Sequence, residues 1–204
     1  MAIVTGIEIV RGRVIVRADG SEIARVPKAH FEQCRLREGD EIDPERWLDQ
    51  LCAVQRADAY EAALTSLDYC ARSAKELASA LRRKGFVEPV IALTTQRLQK
   101  SGLIDDARYA LRMAEITSEK PVGVYAFKRK LLAKGISEED AASALSAFDD
   151  EQQRAACAEA AQKLLRKYEG LPPRERRARL SQALSRRGFG WDAIDSALEQ
   201  LPEP

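Results

Sequence analysis

The sequence predicts a mainly α-helical chain of three tandem three-helix repeats preceded by a small β-rich N-terminal module. Three observations carry that prediction. A short string, apolar-x-x-Lys/Arg-Gly-apolar, occurs as LRRKGF at 81–86, LLAKGI at 131–136 and LSRRGF at 184–189, about fifty residues apart. Helix formers (Ala, Leu, Glu, Lys, Arg) dominate from residue 45 onward. The first forty residues alternate apolar and polar side chains instead.

The module, residues 1–50, contains VTGIEIVRGRVIVRADGSEIARVP, which puts Ile7 and Ile9, Val14 and Val16, and Ile23 on matching faces. Arg11-Gly12 and Asp19-Gly20 punctuate it as the tight turns of short strands. So small a sheet is expected to dock on the helices after it rather than to stand alone. Asp43 is a candidate N-cap, with Pro44 at the first helical position.

The repeats are expected over 51–102, 103–149 and 150–204. Ser73, three residues before Glu76, forms a capping-box signature for a helix ending at Gly85. Glu88 and Pro89 open the next helix, which stops at Gly102. Asp105 caps the following one, which breaks before Pro121. A helix ending at Gly135 leads to another capped by Ser137, with Asp140 three residues on. A long helix over about 150–169 closes at Gly170, one over 172–187 runs to Gly188, and a last one starting at Trp191 stops at Pro202. Aligned on Gly85, Gly135 and Gly188, the apolar register repeats on both sides of the turn. Leu77, Phe127 and Leu180 precede the glycine by eight, and Leu81, Leu131 and Leu184 by four; Ile91, Ala141 and Ile194 follow by six, and Leu98, Phe148 and Leu201 by thirteen.

With each glycine just past its helix end, the apolar residues flanking the turn form the pair that accompanies a Schellman motif. The turn itself is therefore explained by structure. The cations beside it meet the negative end of the helix macrodipole, which gives them a structural reading too.

The charge is more than capping requires. The chain is 32% charged with a net charge of only +1, but residues 163–188 hold nine basic and two acidic side chains, a local +7, against −2 over residues 1–50. A field of that kind suits a phosphate backbone or an acidic protein surface, or is a solvated helix face. The candidate contacts in the first repeat are Arg72, Lys75, Arg82, Arg83 and Lys84, with Arg97 and Lys100 on the next helix. In the second they are Lys128, Arg129, Lys130 and Lys134. In the third they are Lys163, Arg166, Lys167, Arg174, Arg176, Arg177, Arg179, Arg186 and Arg187.

Little points to catalysis. The four cysteines are far apart and His30 is the one histidine, so a metal site is not expected and the thiols read as reduced and mostly buried. His30 reads as a surface or half-buried residue. Trp47 and Trp191 read as core or inter-repeat packing, with Trp191, beside Gly190 and near the basic segment, the stronger candidate for a stacking surface. Asp105 and Asp106 read as a cap and a first-turn acid rather than a metal pair. No nucleotide-binding glycine motif occurs, and no cofactor is expected. Without a secretory signal or a bilayer-length apolar run, the cytoplasm is the expected location; a monomer is expected.

The stretches SAKELASALRRKGF, VIALTTQRLQKSGLIDDARYA and KRKLLAKGISEEDAASAL resemble the regulatory protein RecX family. The family pattern of Gly, two hydrophobic residues, Asp-Asp and then hydrophobic-Ala is met by Gly102, Leu103, Ile104, Asp105, Asp106, Tyr109 and Ala110. The third RRGF unit and the β-rich extension match as well, so the likeness covers nearly the whole chain. The resemblance implies an elongated, curved body and a non-enzymatic modulator of the RecA recombinase. Such a protein lodges along the RecA–DNA filament and restrains recombinase, ATPase and coprotease activity in DNA repair and the SOS response. Family members can also bind DNA directly, so a helical-repeat protein acting on single- or double-stranded DNA is the alternative, and a plain scaffold is a third.

Overall fold

The computed structural model describes residues 1–118 and 120–201; Glu119 and the expected stop at Pro202 lie outside the described residues. The chain forms two compact units, Met1–Asp105 and Asp106–Pro204.

The first unit opens with an antiparallel sheet ordered β3-β2-β1-β4, built from β1 (Ala2–Val10), β2 (Arg13–Ala18), β3 (Ser21–Pro27) and β4 (Glu41–Ile42). Both hairpin turns use two residues with positive φ, Arg11 and Gly12 at 51° and 77°, Asp19 and Gly20 at 49° and 80°. That pair of conformations matches the right-handed twist of the strands it joins. Ile9 pairs with Val14 and Ile7 with Val16, as the alternation requires. The core, however, is narrower than the pattern: Val14 and Val16 are buried, Ile7 and Ile23 half-buried, and Ile9 63% exposed where its strand runs past the core. A register shift between Val16 and Arg17 displaces Ile23 from the pairing.

After β3 come the short α1 (Lys28–Phe31) and a 3-10 turn, and then α2 (Pro44–Tyr69), capped by the Asp43 carboxylate accepting from the amides of Glu45 and Arg46. This helix serves two cores. Trp47 and Leu51 pack with Val4, Val14, Val16, Val26 and Phe31. Further along, Ala59 and Ala63 pack with Leu77 and Leu81 of α3 (Ala74–Lys84), Ile91 and Leu98 of α4 (Glu88–Lys100), and Phe86 of the turn between them. The Ser73–Glu76 capping box opens α3.

The second unit holds α5 (Asp106–Ser118), α6 (Val124–Ala133) and α7 (Glu138–Leu145) around Phe127, Leu131, Ile136 and Phe148. It continues with α8 (Asp150–Leu165), α9 (Pro173–Arg186) and α10 (Trp191–Glu199) around Cys157, Leu180, Leu184, Phe189 and Ile194. The helix expected over 150–169 is α up to Leu165 and 3-10 over Arg166–Tyr168. Every aligned apolar position from Leu77 to Phe148 and Ile194 is buried, and Leu201 packs against the last core. No helix among the described residues is long and apolar enough to cross a membrane.

Candidate partner-binding surface

The three glycine turns close as Schellman motifs. The amides of Phe86, Ile136 and Phe189 donate to the carbonyls of Leu81, Leu131 and Leu184 at 3.3, 3.1 and 3.3 Å, and Gly85, Gly135 and Gly188 sit at φ of 94°, 85° and 84°. Gly102 makes a fourth, with Leu103 donating to Leu98 at 3.0 Å. The turns are not equally open. Gly135 is exposed, whereas Gly85 and Gly188 are buried, each pressed against a neighbouring element of its own unit. A Cβ on Gly85 would lie 2.9 Å from Pro27 Cδ at the end of β3, and one on Gly188 only 2.1 Å from Ala126 N in α6. These two knuckles are packing joints as well as helix ends.

Two glutamines that carry no distinguishing mark in the sequence hold the joints. Gln55, fully buried on α2, donates through Nε2 to the Gly85 carbonyl at 3.1 Å and accepts through Oε1 from the Val87 amide at 2.8 Å. Its Nε2 also lies 3.2 Å from Nδ1 of His30, whose Nε2 is 2.9 Å from an Asp58 carboxylate oxygen. His30 is therefore buried inside a polar network, not at the surface, because α1 folds it against α2. In the second unit the Gln153 side chain accepts from the Val124 amide at 3.2 Å and donates to the Val122 carbonyl at 3.3 Å, clasping the chain where α6 begins.

The glycines and glutamines bury the middle of each joint and leave its basic residues outside. In the first unit Arg82, Arg83 and Lys84 are exposed. Arg82 pairs with Glu88, whose carboxyl is held below the usual range by that bond, while the Arg82 guanidinium is held more firmly charged. The carbonyl of Arg83 accepts from the Arg13 guanidinium of β2. Lys75 is exposed and Arg72 half-buried.

In the second unit Lys128 pairs with Glu138 at 2.6 Å, and the Arg129 guanidinium donates to the Arg186 carbonyl at 3.4 Å. With Tyr125 donating to the Gly188 carbonyl at 3.0 Å, the 128–130 run and the 186–187 pair are brought side by side. Lys134 lies 5.5 Å from the Tyr109 ring centroid. On α8 Lys163 pairs with Glu159, and Arg166 and Lys167 follow on the 3-10 turn, with Lys167 over Tyr168. On α9 Arg174, Arg177 and Arg179 are exposed and Arg176 is half-buried; only Arg179 has a carboxylate partner among the described residues, Glu175 at 3.5 Å.

Trp47 is core and donates to the Cys34 carbonyl, but Trp191 is 67% exposed at the start of α10 rather than packed. All four thiols are free: Cys52 and Cys157 are buried, Cys34 is half-buried and Cys70 is exposed. No cluster of three or more metal-ligating side chains exists among the described residues.

A succession of three-helix modules, each with a glycine knuckle, cations outside and an apolar core within, defines a helical-repeat protein. The comparisons with known proteins particularise that class. Residues 59–98 match the model of the first three-helix domain of RecX, and residues 150–198 that of the third. The chain is 30% identical over 198 residues to the regulatory protein RecX of Limosilactobacillus reuteri (strain DSM 20016), covering 95% of this chain and 74% of that one. It is 31% identical over 169 residues to that of Bacillus subtilis (strain 168), covering 81% and 63%. A crystal structure of a regulatory protein RecX superposes with a TM-score of 0.69 at 27% identity, over 98% of this chain and 100% of the other. That of RecX from Lactobacillus salivarius does so with a TM-score of 0.61 at 32% identity, over 73% and 97%. The chain belongs to the RecX family of regulatory proteins.

Proposed function

We propose that this protein binds the RecA recombinase and its DNA filament in the cytoplasm and restrains ATPase, strand-exchange and coprotease activity by binding, without catalysis of its own. Membership in a family of regulatory proteins supports the general role. The observation that carries the contact surface is the placement of cations on α9. At a helix C-terminus a cation is favoured by the macrodipole, so the basic residues of the knuckles have a reason within the fold. Arg174 and Arg176 instead occupy the first turn of α9, whose positive end disfavours them, and Arg177 and Arg179 follow directly. Their charge is not one the helix end favours, and only Glu175 in that turn opposes it, so an anionic partner supplies a reason that capping does not. The 128–130 run on α6, aligned with Arg186, extends the surface within the same unit.

Charge reversal tests this directly. Lys128→Glu, Arg129→Glu and Lys130→Glu together, or Arg176→Glu, Arg177→Glu and Arg179→Glu together, should weaken inhibition of RecA ATPase and strand exchange while the helical circular dichroism stays intact. Inhibition that survives both triple changes refutes the assignment. The +7 segment over 163–188 favours direct DNA contact as a second reading. If that reading is correct, bare single-stranded DNA binds as tightly as the RecA filament and the affinity falls steeply with salt.

A further inference from the structure

We propose that a cleft between α2 and α4 in the first unit is a docking site for an acidic segment of a protein partner that carries an apolar anchor residue. The cleft, of about 420 Å3, is lined by Arg56 and Tyr60 of α2 and by Leu93, Thr94, Arg97 and Lys100 of α4. The spacing i, i+4 on one helix and i, i+4, i+7 on the other puts these side chains on two facing stripes. Three are cations and no carboxylate lines the cleft. Among the described residues none of the three makes an ion pair.

The fold accounts for only part of this. Arg97 stacks its guanidinium 4.4 Å from the centre of the Tyr60 ring, so its stem and charge have a structural use. Lys100, in the last turn of α4, meets the negative end of that helix, but Arg56, midway along α2, has no helix end to meet and adds like charge to the same concavity. Leu93 stands at the cleft half exposed, at 50%, although it is a large apolar side chain on a helix that buries its neighbours Ile91 and Thr94. An occupant that offsets both features must bring negative charge and an apolar side chain together. A single-stranded nucleic acid would bring the charge, but it needs an open aromatic face on which to stack its bases. Here the Tyr60 ring is already covered by Arg97. An acidic peptide with a leucine or phenylalanine among its carboxylates meets both requirements, with the apolar residue against Leu93 and the carboxylates on Arg56 and Lys100.

Arg97 and Lys100 are among the first-repeat candidates, but the cleft lies outside the 128–130 run and the α9 cations proposed above for the filament, and its test uses neither RecA nor DNA as the primary probe. The full chain is titrated into a short fluorescein-labelled peptide of repeating Glu-Glu-Leu, and binding is read by fluorescence anisotropy. The pair Arg56→Glu with Lys100→Glu should weaken binding roughly tenfold, and Leu93→Ser several-fold. Because all three side chains are exposed, helical circular dichroism and the melting temperature should stay close to those of the parent. The pair Arg176→Glu with Arg177→Glu, in the other unit, should leave the affinity within about twofold. A peptide with Ser in place of Leu should bind more weakly, and an oligo-dT of equal charge should not displace the probe at equal concentration. Any of three results overturns the proposal: no binding of the probe, equal loss on changing the cleft and the second unit, or displacement by oligo-dT at or below the peptide's own concentration.

Discussion

The two buried knuckles make a graded prediction about glycine replacement, because four glycines in this chain separate backbone strain from crowding. Gly102 has φ of 71° with nothing within 4 Å of an added Cβ, so Gly102→Ala bears only the left-handed backbone cost, about 1 kcal/mol. Gly85, at 94°, adds a 2.9 Å contact with the ring of Pro27, which a small shift relieves; about 2–3 kcal/mol is expected. Gly188, at 84°, sets the added carbon 2.1 Å from backbone N of Ala126 and 2.8 Å from its Cα, which no rotamer change relieves. Opening that joint also stretches the Tyr125 to Gly188 hydrogen bond, and the sum is about 3–5 kcal/mol. Gly123 has an ordinary φ of −69° but meets the Gly188 carbonyl carbon at 2.1 Å, so Gly123→Ala isolates crowding at about 2–4 kcal/mol. The assay is urea unfolding followed by helical circular dichroism, comparing the first transition, since a protein of two compact units need not unfold in one step. The midpoints should fall in the order Gly102→Ala, Gly85→Ala, Gly188→Ala, with Gly123→Ala well below Gly102→Ala. Equal shifts at Gly102 and Gly188 would show that the third knuckle is not a packing joint.

Three further outcomes rest on the polar and titrating groups. Gln55→Leu keeps side-chain volume but leaves the Gly85 carbonyl and the Val87 amide without their partner; it should cost about 2–4 kcal/mol by the same unfolding assay. Burial pushes the Cys157 thiol up to about 11, while Cys70 is exposed, so a thiol-reactive disulfide reagent at pH 8 should label Cys70 first and Cys157 only after unfolding. A Cys70→Ser protein that keeps the fast phase would contradict this. The Glu88 carboxyl is depressed by its bond to Arg82, so the stability it contributes is present above its unfolded value and is lost as pH falls through the folded one. Glu88→Gln should therefore lower the melting temperature slightly at pH 7, and the difference should shrink as pH falls through the depressed folded value; a difference that grows on acidification would reverse the sign.

What could be seen in the sequence, and what could not, separates at the same knuckles. The apolar pair and the glycine are local chemistry, visible wherever a helix ends in a left-handed turn, and all three copies close as their spacing requires. The caps at Asp43, Ser73 and Ser137 are local for the same reason. What each turn packs against is decided tens of residues away, and nothing within LSRRGF distinguishes the buried Gly188 from the exposed Gly135. The clasps were invisible because glutamine is ordinarily a surface residue; Gln55 is buried only because α2 carries it past both the sheet and the first knuckle. His30 was misplaced for the same reason, since its two partners lie twenty-five and twenty-eight residues downstream on that helix. Trp191 failed in the opposite direction: α10 buries Ala193, Ile194, Ala197 and Leu198, and that stripe leaves its first residue on the far side.

The burial pattern also narrows what the repeated cations can be for. A knuckle whose glycine is buried cannot move its flanking residues independently of the joint, so Arg186 and Arg187 are held in fixed relation to Lys128, Arg129 and Lys130 through the contact of Gly188 with α6. The 131–136 knuckle differs: its glycine is exposed, and Lys134 lies against Tyr109. A partner that reads a fixed spacing of charge is served by the third knuckle, whose buried glycine holds it against α6. Gly123→Ala becomes a functional test as well as a structural one. If the 128–130 and 186–187 groups act as one surface, opening the joint should weaken inhibition of RecA with no basic residue changed. Lys134→Gln, which removes a charge outside the joint, should leave inhibition nearly as it was. Equal losses from the two changes would mean that the charges act singly and that their alignment across the joint is incidental.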